Sequence, residues 1–420
     1  MMSDKSLKGD FIPPGDKSIS HRVGLFSLLA GGCCLVQHYS SCVDCFFTLA
    51  AVKLLGGQAD LNDEGLLLTG IEGRIRSEAQ VDCGNSGTTM RLLTGLLAGR
   101  PGRYMLDGDG SLRRRPMERV ATPLRLMGAR VDCSGGRPPV SIAGGGLTGI
   151  TYILPVASAQ LKSALLLAGV RAAGETVVRE PAVSRDHTEL LLKAMGADIS
   201  YEDGHWRVRA SRLILPERLL VPGDASSAAF FLCAAAVMPA SDVTAEGVLL
   251  NPTRVGFLEV LRRMGARAEV VEQGREPEPW GRVRVFHGPE LAGCVIEGRE
   301  IPLLVDEIPI MALIASQARG TTVFKDVGEL RAKETDRLSA VAGQLGAMGA
   351  DITVAGDDLV INGPTRLRAV AGLNSLGDHR IAMTLRLALC LARADAPIVE
   401  EGCAVVSYPD FFRDLDKLLS

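Results

Sequence analysis

Charged residues recur in this chain at the openings of otherwise apolar segments, a placement suited to holding small anions. Lys17, Ser18 and Arg22 open one such segment, Arg91 rides on a second, and Ser158, Gln160 and Lys162 open a third. Asp306 opens a fifth, and Asp378, His379 and Arg380 open the sixth. Two charged strings, SLRRRPMERV and ELRAKETDRL, add Arg115 and the group Lys333, Glu334, Asp336 and Arg337. Helix N-termini carry partial positive charge and free N–H groups, so several aimed at one place bind anions well. Lysine and arginine beside them suit phosphate and carboxylate groups. Taken singly, each charge reads as an ordinary cap or solvated helix end. Together, cations at matching places in the chain read as a site for small polyanionic substrates.

Acid–base chemistry needs carboxylates whose pKa values are pushed apart. Asp306 lies between LLV and IPIM, an apolar setting expected to raise its pKa, whereas Glu334, beside Lys333 and near Arg337, is expected to stay ionised unless a bound substrate changes the balance. His21 reads as a hydrogen-bonded structural residue. Asp378 and His379 are adjacent and cannot face each other on a helix. No Ser–His–Asp or Cys–His pairing emerges, so a covalent nucleophile is not indicated. Cys33, Cys34, His38, Cys42 and Cys45 lie close together, but a second C-x-x-C pair is missing. That segment reads as a strand with two helix-facing cysteines, and no metal is assigned.

The elements that position these residues repeat. The string L-x-x-[ML]-G-[AG] and looser copies recur around Gly56, Gly128, Gly196, Gly265 and Gly349, at intervals of 72, 68, 69 and 84 residues. A further step of about 70 reaches FFRDLDKLLS, an amphipathic helix at the chain end. Each copy predicts a helix ended by glycine, followed by a strand such as ARVDC or ADITV. The six apolar segments alternate with these copies and are expected to be interior helices. One unit therefore reads helix, strand, helix, strand, repeated six times, and three such units make a lobe. The lengthened interval holds Glu272–Pro289, a predicted hairpin.

Composition agrees with many buried helices joined by tight turns. Among the 420 residues, the apolar-plus-glycine share is about 57%, with aromatics at only 4%, against a usual ~45–50%. A net charge of −3 and a pI near 6.1 argue against nucleic acid. The N-terminal MMSDKSLKGD has no signal-peptide layout, and the longest apolar run, Ala228 to Ala240, is too short for a membrane span. Scattered cysteines predict reduced thiols in a cytoplasmic protein. No G-x-G-x-x-G or G-x-x-x-x-G-K-[ST] motif occurs in a suitable context.

The strings PPGDKSISHR, GNSGTTMRLL, RRPM, SAQLKSALLLAG, GDASSAAFFL, AKETDRL and GDHRIAM, taken together and in order, resemble the 5-enolpyruvylshikimate-3-phosphate synthase family over essentially the whole chain. The resemblance implies an α/β (α+β) fold of two lobes, each of three βαβαββ repeats with buried parallel helices, an inside-out α/β barrel. One lobe would comprise residues 1–15 and 223–420 and the other 16–222, with the active site in the cleft between them. It implies transfer of the enolpyruvyl group of phosphoenolpyruvate to the 5-hydroxyl of shikimate-3-phosphate, through a tetrahedral ketal. The partners would be these small molecules alone, with no cofactor and no metal, and the enzyme a monomer.

By position, the resemblance implies that Lys17, Ser18, Arg22, Ser158, Ala159, Gln160, Asp306 and Lys333 contact shikimate-3-phosphate. It implies that Lys17, Gly87, Arg115, Gln160, Arg337 and Arg380 contact phosphoenolpyruvate. Asp306 resembles the base at the 5-hydroxyl, Glu334 the acid–base at the methylene, and Lys17 joins them as a catalytic residue. Val406 stands where many members have lysine. SRDHTE, SAQLK and NPTR resemble a glyphosate-tolerant subgroup, which would add Arg185 to the shikimate-3-phosphate contacts. The sister UDP-N-acetylglucosamine enolpyruvyl transferase usually carries a cysteine before the Arg-Pro and Asn after the first lysine. Here that loop is GDGSLRRRP and Ser18 follows Lys17. A non-catalytic binding protein on the same repeat would have no use for the Asp306 and Glu334 pair.

Overall fold

A computed structural model describes residues 6–419. The chain divides into two compact units, Gly15–Val221 and a discontinuous one of Met1–Pro14 with Pro222–Ser420.

The Gly15–Val221 unit contains three copies of one motif. In each, a parallel edge strand pairs with a central strand, which pairs antiparallel with a hairpin. The first copy orders Arg218–Leu220, Cys33–Gln37, Gly65–Thr69 and Gln58–Asn62, with Leu219 opposite Val36 and Leu35 opposite Leu67. Its edge strand comes from the far end of the unit, so the last segment closes the sheet begun by the first. The second copy pairs Glu78–Asp82, Gly102–Asp107, Arg137–Gly144 and Arg130–Ser134, and the third Thr151–Ile153, Glu175–Arg179, His205–Arg209 and Ile199–Glu202. Arg137–Gly144 alternates between exposed and buried positions along nearly its whole length, the period-2 signature of a sheet with one face on a core.

Among the described residues, the discontinuous unit holds two such sheets. One joins Lys8–Phe11 to Asp242–Leu249, Trp280–Phe286 and Arg267–Gly274, and the other joins Val295–Ile296, Gly320–Phe324, Asp358–Gly363 and Asp351–Ala355. The Glu272–Pro289 stretch supplies the far part of the first hairpin. The expectation of a sixth helix, strand, helix, strand unit meets a shorter copy here. Besides its interior helix, His379–Leu391, the sixth copy is reduced, among the described residues, to a bridge between Asn374 and Val399, a 3-10 turn at Glu401–Val406 and the Phe411–Leu418 helix. Aromatic packing replaces its missing hairpin. Phe411 stacks on Phe231 at 5.1 Å, and Phe231 meets the edge of Phe11 at 5.1 Å, contacts that add about 0.5–1.5 kcal/mol each beyond area burial.

The interior helices are Lys17–Phe26, Gly87–Ala98, Ala159–Gly169, Ala225–Val237, Ile308–Ala315 and His379–Leu391. A buried helix end leaves backbone N–H groups that must find acceptors. Asp16, Ser86, Ser158, Asp224 and Asp378 meet that need as side-chain caps, whereas Ile308–Ala315 has no side-chain cap bond and a proline in its first turn. The NPTR string serves this framework, because Arg254 lies 3.4 Å from the Asp224 carboxylate and 3.0 Å from Ser226 Oγ. The repeat glycines take positive φ, such as 101° at Gly56 and 103° at Gly128, the left-handed turn that ends a helix.

Gly95 shows why an interior helix carries glycine. A Cβ there would overlap the Ala164 carbonyl and lie 2.6 Å from Ala164 Cα, so its absence lets Gly87–Ala98 and Ala159–Gly169 meet backbone to backbone. Gly95→Val is expected to cost about 1–3 kcal/mol by overpacking. A urea midpoint unchanged from the parent's would refute that close approach.

Candidate active site

In the Gly15–Val221 unit, the Asp16 carboxylate accepts from the Ile19 amide at 2.9 Å and fixes the start of Lys17–Phe26. Lys17 Nζ donates to Asp44 Oδ2 at 3.0 Å. Arg22 is 2% exposed. Its Nε donates to Thr188 Oγ1 at 2.7 Å and its two terminal nitrogens to Ser163 Oγ and the Ser18 carbonyl, each at 2.9 Å. Ser158 caps the third interior helix at the Leu161 amide, 3.4 Å away, which puts Ala159 and Gln160 on its first turn. The Gln160 amide accepts from Arg91 at 2.5 Å and donates to Thr88 Oγ1 at 2.8 Å. Arg115 donates to Asn85 Oδ1 at 2.7 Å. Gly87 lies against both arginines, since a Cβ there would sit 2.8 Å from a terminal nitrogen of Arg91 and 3.3 Å from one of Arg115.

These bonds tie the openings of neighbouring interior helices into one polar constellation with Lys17, Arg22, Arg91 and Arg115. Arg185 lies half-buried in the segment leading to the His187–Ala194 helix. Lys162 does not join them. It is fully buried between Glu180 at 2.9 Å and Glu189 at 2.8 Å; burial works against its charge, but the two carboxylates outweigh it and raise its pKa. His21 is a core residue. Its Nδ1 lies 2.6 Å from Thr48 Oγ1, and burial, then the charges of Lys17 and Arg22, push its pKa well down.

The discontinuous unit holds a second constellation around Arg337, which is 1% exposed. Arg337 Nε donates to Asp378 Oδ2 at 2.8 Å, and its terminal nitrogens reach Asp306 Oδ1 at 3.2 Å and the Glu334 carboxylate. Asp378 in turn caps the last interior helix at the Arg380 amide, 2.9 Å away. Arg380 donates to the Asp306 carbonyl at 2.9 Å and approaches its carboxylate at 3.8 Å, and Lys333 Nζ lies 3.5 Å from Asp306 Oδ1. Burial opposes the charge on Arg337, yet Asp378, Glu334 and Asp306 together raise its pKa.

Two sequence expectations change here. Asp306 is not in an apolar setting, because Lys333, Arg337 and Arg380 all face its carboxylate. Nor does it start the fifth interior helix, whose cap position belongs to Glu307. Sequence reading also missed Asp44, Ser163 and Thr188. Asp44 sits in CVDC, where attention fell on the cysteines, and nothing local marks Ser163 or Thr188 as partners of Arg22.

One constellation presents cations and helix N-termini, the equipment of anion binding, and the other, in the second unit, presents a carboxylate pair held by a buried arginine, the equipment of proton transfer. Comparison with known proteins agrees. The chain matches the family described as EPSP synthase (3-phosphoshikimate 1-carboxyvinyltransferase) over residues 2–415. It is 45% identical over 418 residues to a 3-phosphoshikimate 1-carboxyvinyltransferase of Bacillus velezensis, covering 98% of this chain and 97% of that one. It is 42% identical over 425 residues to that of Bacillus subtilis, covering 100% and 99%. Among solved structures, an EPSP synthase from Acinetobacter baumannii superposes with a TM-score of 0.86 at 38% identity, covering 100% of this chain and 98% of that one. The enolpyruvyl transferase NikO from Streptomyces tendae shares the fold at a TM-score of 0.79 and 19% identity, covering 98% and 95%. With a match that runs almost from end to end and relatives this similar, the chain belongs to the EPSP synthase family.

Proposed function

We propose that the protein transfers the enolpyruvyl group of phosphoenolpyruvate to the 5-hydroxyl of shikimate-3-phosphate, releasing phosphate, and that both constellations serve this one reaction. The observation that carries the reading is the joint hold of Arg337 on Asp306 and Glu334, with Lys333 and Arg380 beside them. Addition–elimination needs such a set. Glu334 delivers a proton to the phosphoenolpyruvate methylene, which makes the adjacent carbon electrophilic. Asp306 takes the proton of the 5-hydroxyl as its oxygen adds to that carbon. The tetrahedral ketal then expels phosphate, and the new methyl returns its proton to Glu334. Arginine and lysine stabilise the carboxylate and the departing phosphate by charge-assisted hydrogen bonds.

Lys17, Ser18, Arg22, Ser158, Ala159, Gln160, Arg185, Asp306 and Lys333 hold shikimate-3-phosphate in this reading. Lys17, Gly87, Arg115, Gln160, Arg337 and Arg380 hold phosphoenolpyruvate. The deciding experiment measures phosphate release from phosphoenolpyruvate with each acceptor. Release with shikimate-3-phosphate alone is the expected result; release only with UDP-N-acetylglucosamine would transfer the chain to the sister activity, and release with neither would leave a binding protein.

Arg380→Ala is expected to raise the KM for phosphoenolpyruvate about 10- to 100-fold, the equivalent of a lost charged hydrogen bond of about 1.5–3 kcal/mol. Unchanged kinetics would remove Arg380 from the site. Tolerance of glyphosate belongs to the same reading, supported by the SRDHTE, SAQLK and NPTR strings. Turnover should persist with glyphosate present at the affinity of phosphoenolpyruvate itself, and inhibition there would end the idea. A cytoplasmic location, with the enzyme acting as a monomer, completes the reading; ten cysteines scattered along the chain support a reducing compartment.

A further inference from the structure

Lys162 lies in the first turn of the Ala159–Gly169 helix, and its side chain is fully buried. A lysine ammonium has three N–H donors and no acceptor. Here three oxygens surround it: Glu180 Oε1 at 2.9 Å, the Ser184 carbonyl at 3.3 Å and Glu189 Oε1 at 2.8 Å. With three partners for three protons, Lys162 is committed to the protein and not to a substrate. The Glu180 carboxylate in turn accepts from the Ser184 amide at 3.3 Å and from Ser184 Oγ at 2.6 Å. Lys162 and Glu180 thus hold the amide, the carbonyl and the hydroxyl of one buried serine.

Ser184 precedes Arg185 in the chain. The Ser184 carbonyl belongs to the rigid peptide plane that also carries the Arg185 nitrogen. Holding that carbonyl therefore restricts where the Arg185 side chain leaves the backbone. A second set of contacts lies one residue along. Lys162 and Ser163 stand on the Ala159–Gly169 helix, and Thr188 and Glu189 on the His187–Ala194 helix. Lys162 pairs with Glu189, and the Thr188 hydroxyl donates to Ser163 Oγ at 2.7 Å. Arg22 rests on that neighbouring pair, with Nε donating to Thr188 Oγ1 at 2.7 Å and a terminal nitrogen to Ser163 Oγ at 2.9 Å. One buried ammonium stands behind both arginines.

Stability alone does not account for this arrangement. Taking three charges out of water costs about as much as their attraction returns, and apolar side chains of the same volume hold a helix seam as well or better. What an apolar seam lacks is direction, since a hydrogen bond fixes a particular oxygen and a hydrophobic contact does not. We propose that Lys162 is a positioning residue for shikimate-3-phosphate, which sets Arg185 through Ser184 and Arg22 through the Ser163–Thr188 pair without touching the substrate. The effect on binding rests on the role given to Arg22 and Arg185 above; the hold on Ser184 does not.

The test compares the full-length parent with Lys162→Met and with Lys162→Met/Glu189→Leu, by urea unfolding, steady-state phosphate release and amide hydrogen exchange. Lys162→Met alone strands the buried charge of Glu189, which has no other cation within 4 Å among the described residues, and should unfold at lower urea. The double variant removes that charge, so its urea midpoint should return close to the parent's. Both variants should raise the KM for shikimate-3-phosphate about tenfold, near the lower end of what a charged hydrogen bond is worth. The KM for phosphoenolpyruvate and kcat should stay close to the parent's, and amides in the stretch 180–186 should exchange faster. A parent-like KM for shikimate-3-phosphate in the double variant would overturn the proposal, because Lys162 would then only neutralise Glu189. A loss shared by both substrates and kcat would overturn it too, as the mark of a loosened unit. A parent that releases no phosphate with shikimate-3-phosphate would sink the functional reading and the kinetic claim with it; unchanged exchange over 180–186 would separately reject the hold on Ser184.

Discussion

Arg337→Met is expected to destabilise the protein by about 3–5 kcal/mol and to take turnover to background, the cost of removing one partner from a buried ion cluster. Methionine keeps much of the volume and none of the charge. It would leave the fully buried Asp378 without the Arg337 Nε donor at 2.8 Å, and Asp306 and Glu334 without the guanidinium between them. Arg337→Lys restores the charge without the planar fork that serves three carboxylates, so it should recover part of the stability and little of the rate. Urea unfolding of the three proteins measures the first effect and steady-state phosphate release the second. A methionine variant as stable as the parent would show that the three carboxylates do not depend on Arg337.

Glu334→Gln should lower kcat by about 10²–10⁴-fold, the usual worth of a positioned acid–base group, and leave stability and the KM for phosphoenolpyruvate close to the parent's. The amide keeps the size of the side chain and can still accept from Arg337, which retains Asp378 and Asp306. A more direct readout is isotopic. With shikimate-3-phosphate present in deuterated water, the parent should wash deuterium into the methylene of phosphoenolpyruvate, because protonation there is reversible, and the variant should not. Exchange at the parent's rate in Glu334→Gln would assign that proton to another group.

Most of the architecture was legible in the sequence because its signals are local. A glycine that must turn left-handed after a helix, as at Gly56 or Gly128, leaves its mark within a few residues. So does a side chain that caps a helix three residues on, as Asp16 does for Ile19 and Asp224 for Ser227. Apolar segments with polar openings therefore announced interior helices with charged ends. The reduced sixth copy escaped, because a hairpin that is absent leaves no pattern, and the aromatic packing of Phe411 on Phe231 and Phe11 joins residues far apart in the chain.

The charged groups divide the same way. Which residues stand at helix openings could be read directly, Asp306 excepted, since position along a helix follows from periodicity and caps. What each charge faces could not. Arg22 meets Thr188 across 166 residues of chain, Lys162 turns from the expected anion site to two glutamates, and Asp306 leaves its apolar sequence neighbours for three cations. A charge interacts through space, and only the folded path of the backbone sets which opposite charge lies within 4 Å. Chain order carried the repeat and the candidate residues; tertiary packing chose the partners that make Arg337, Asp306 and Glu334 one network.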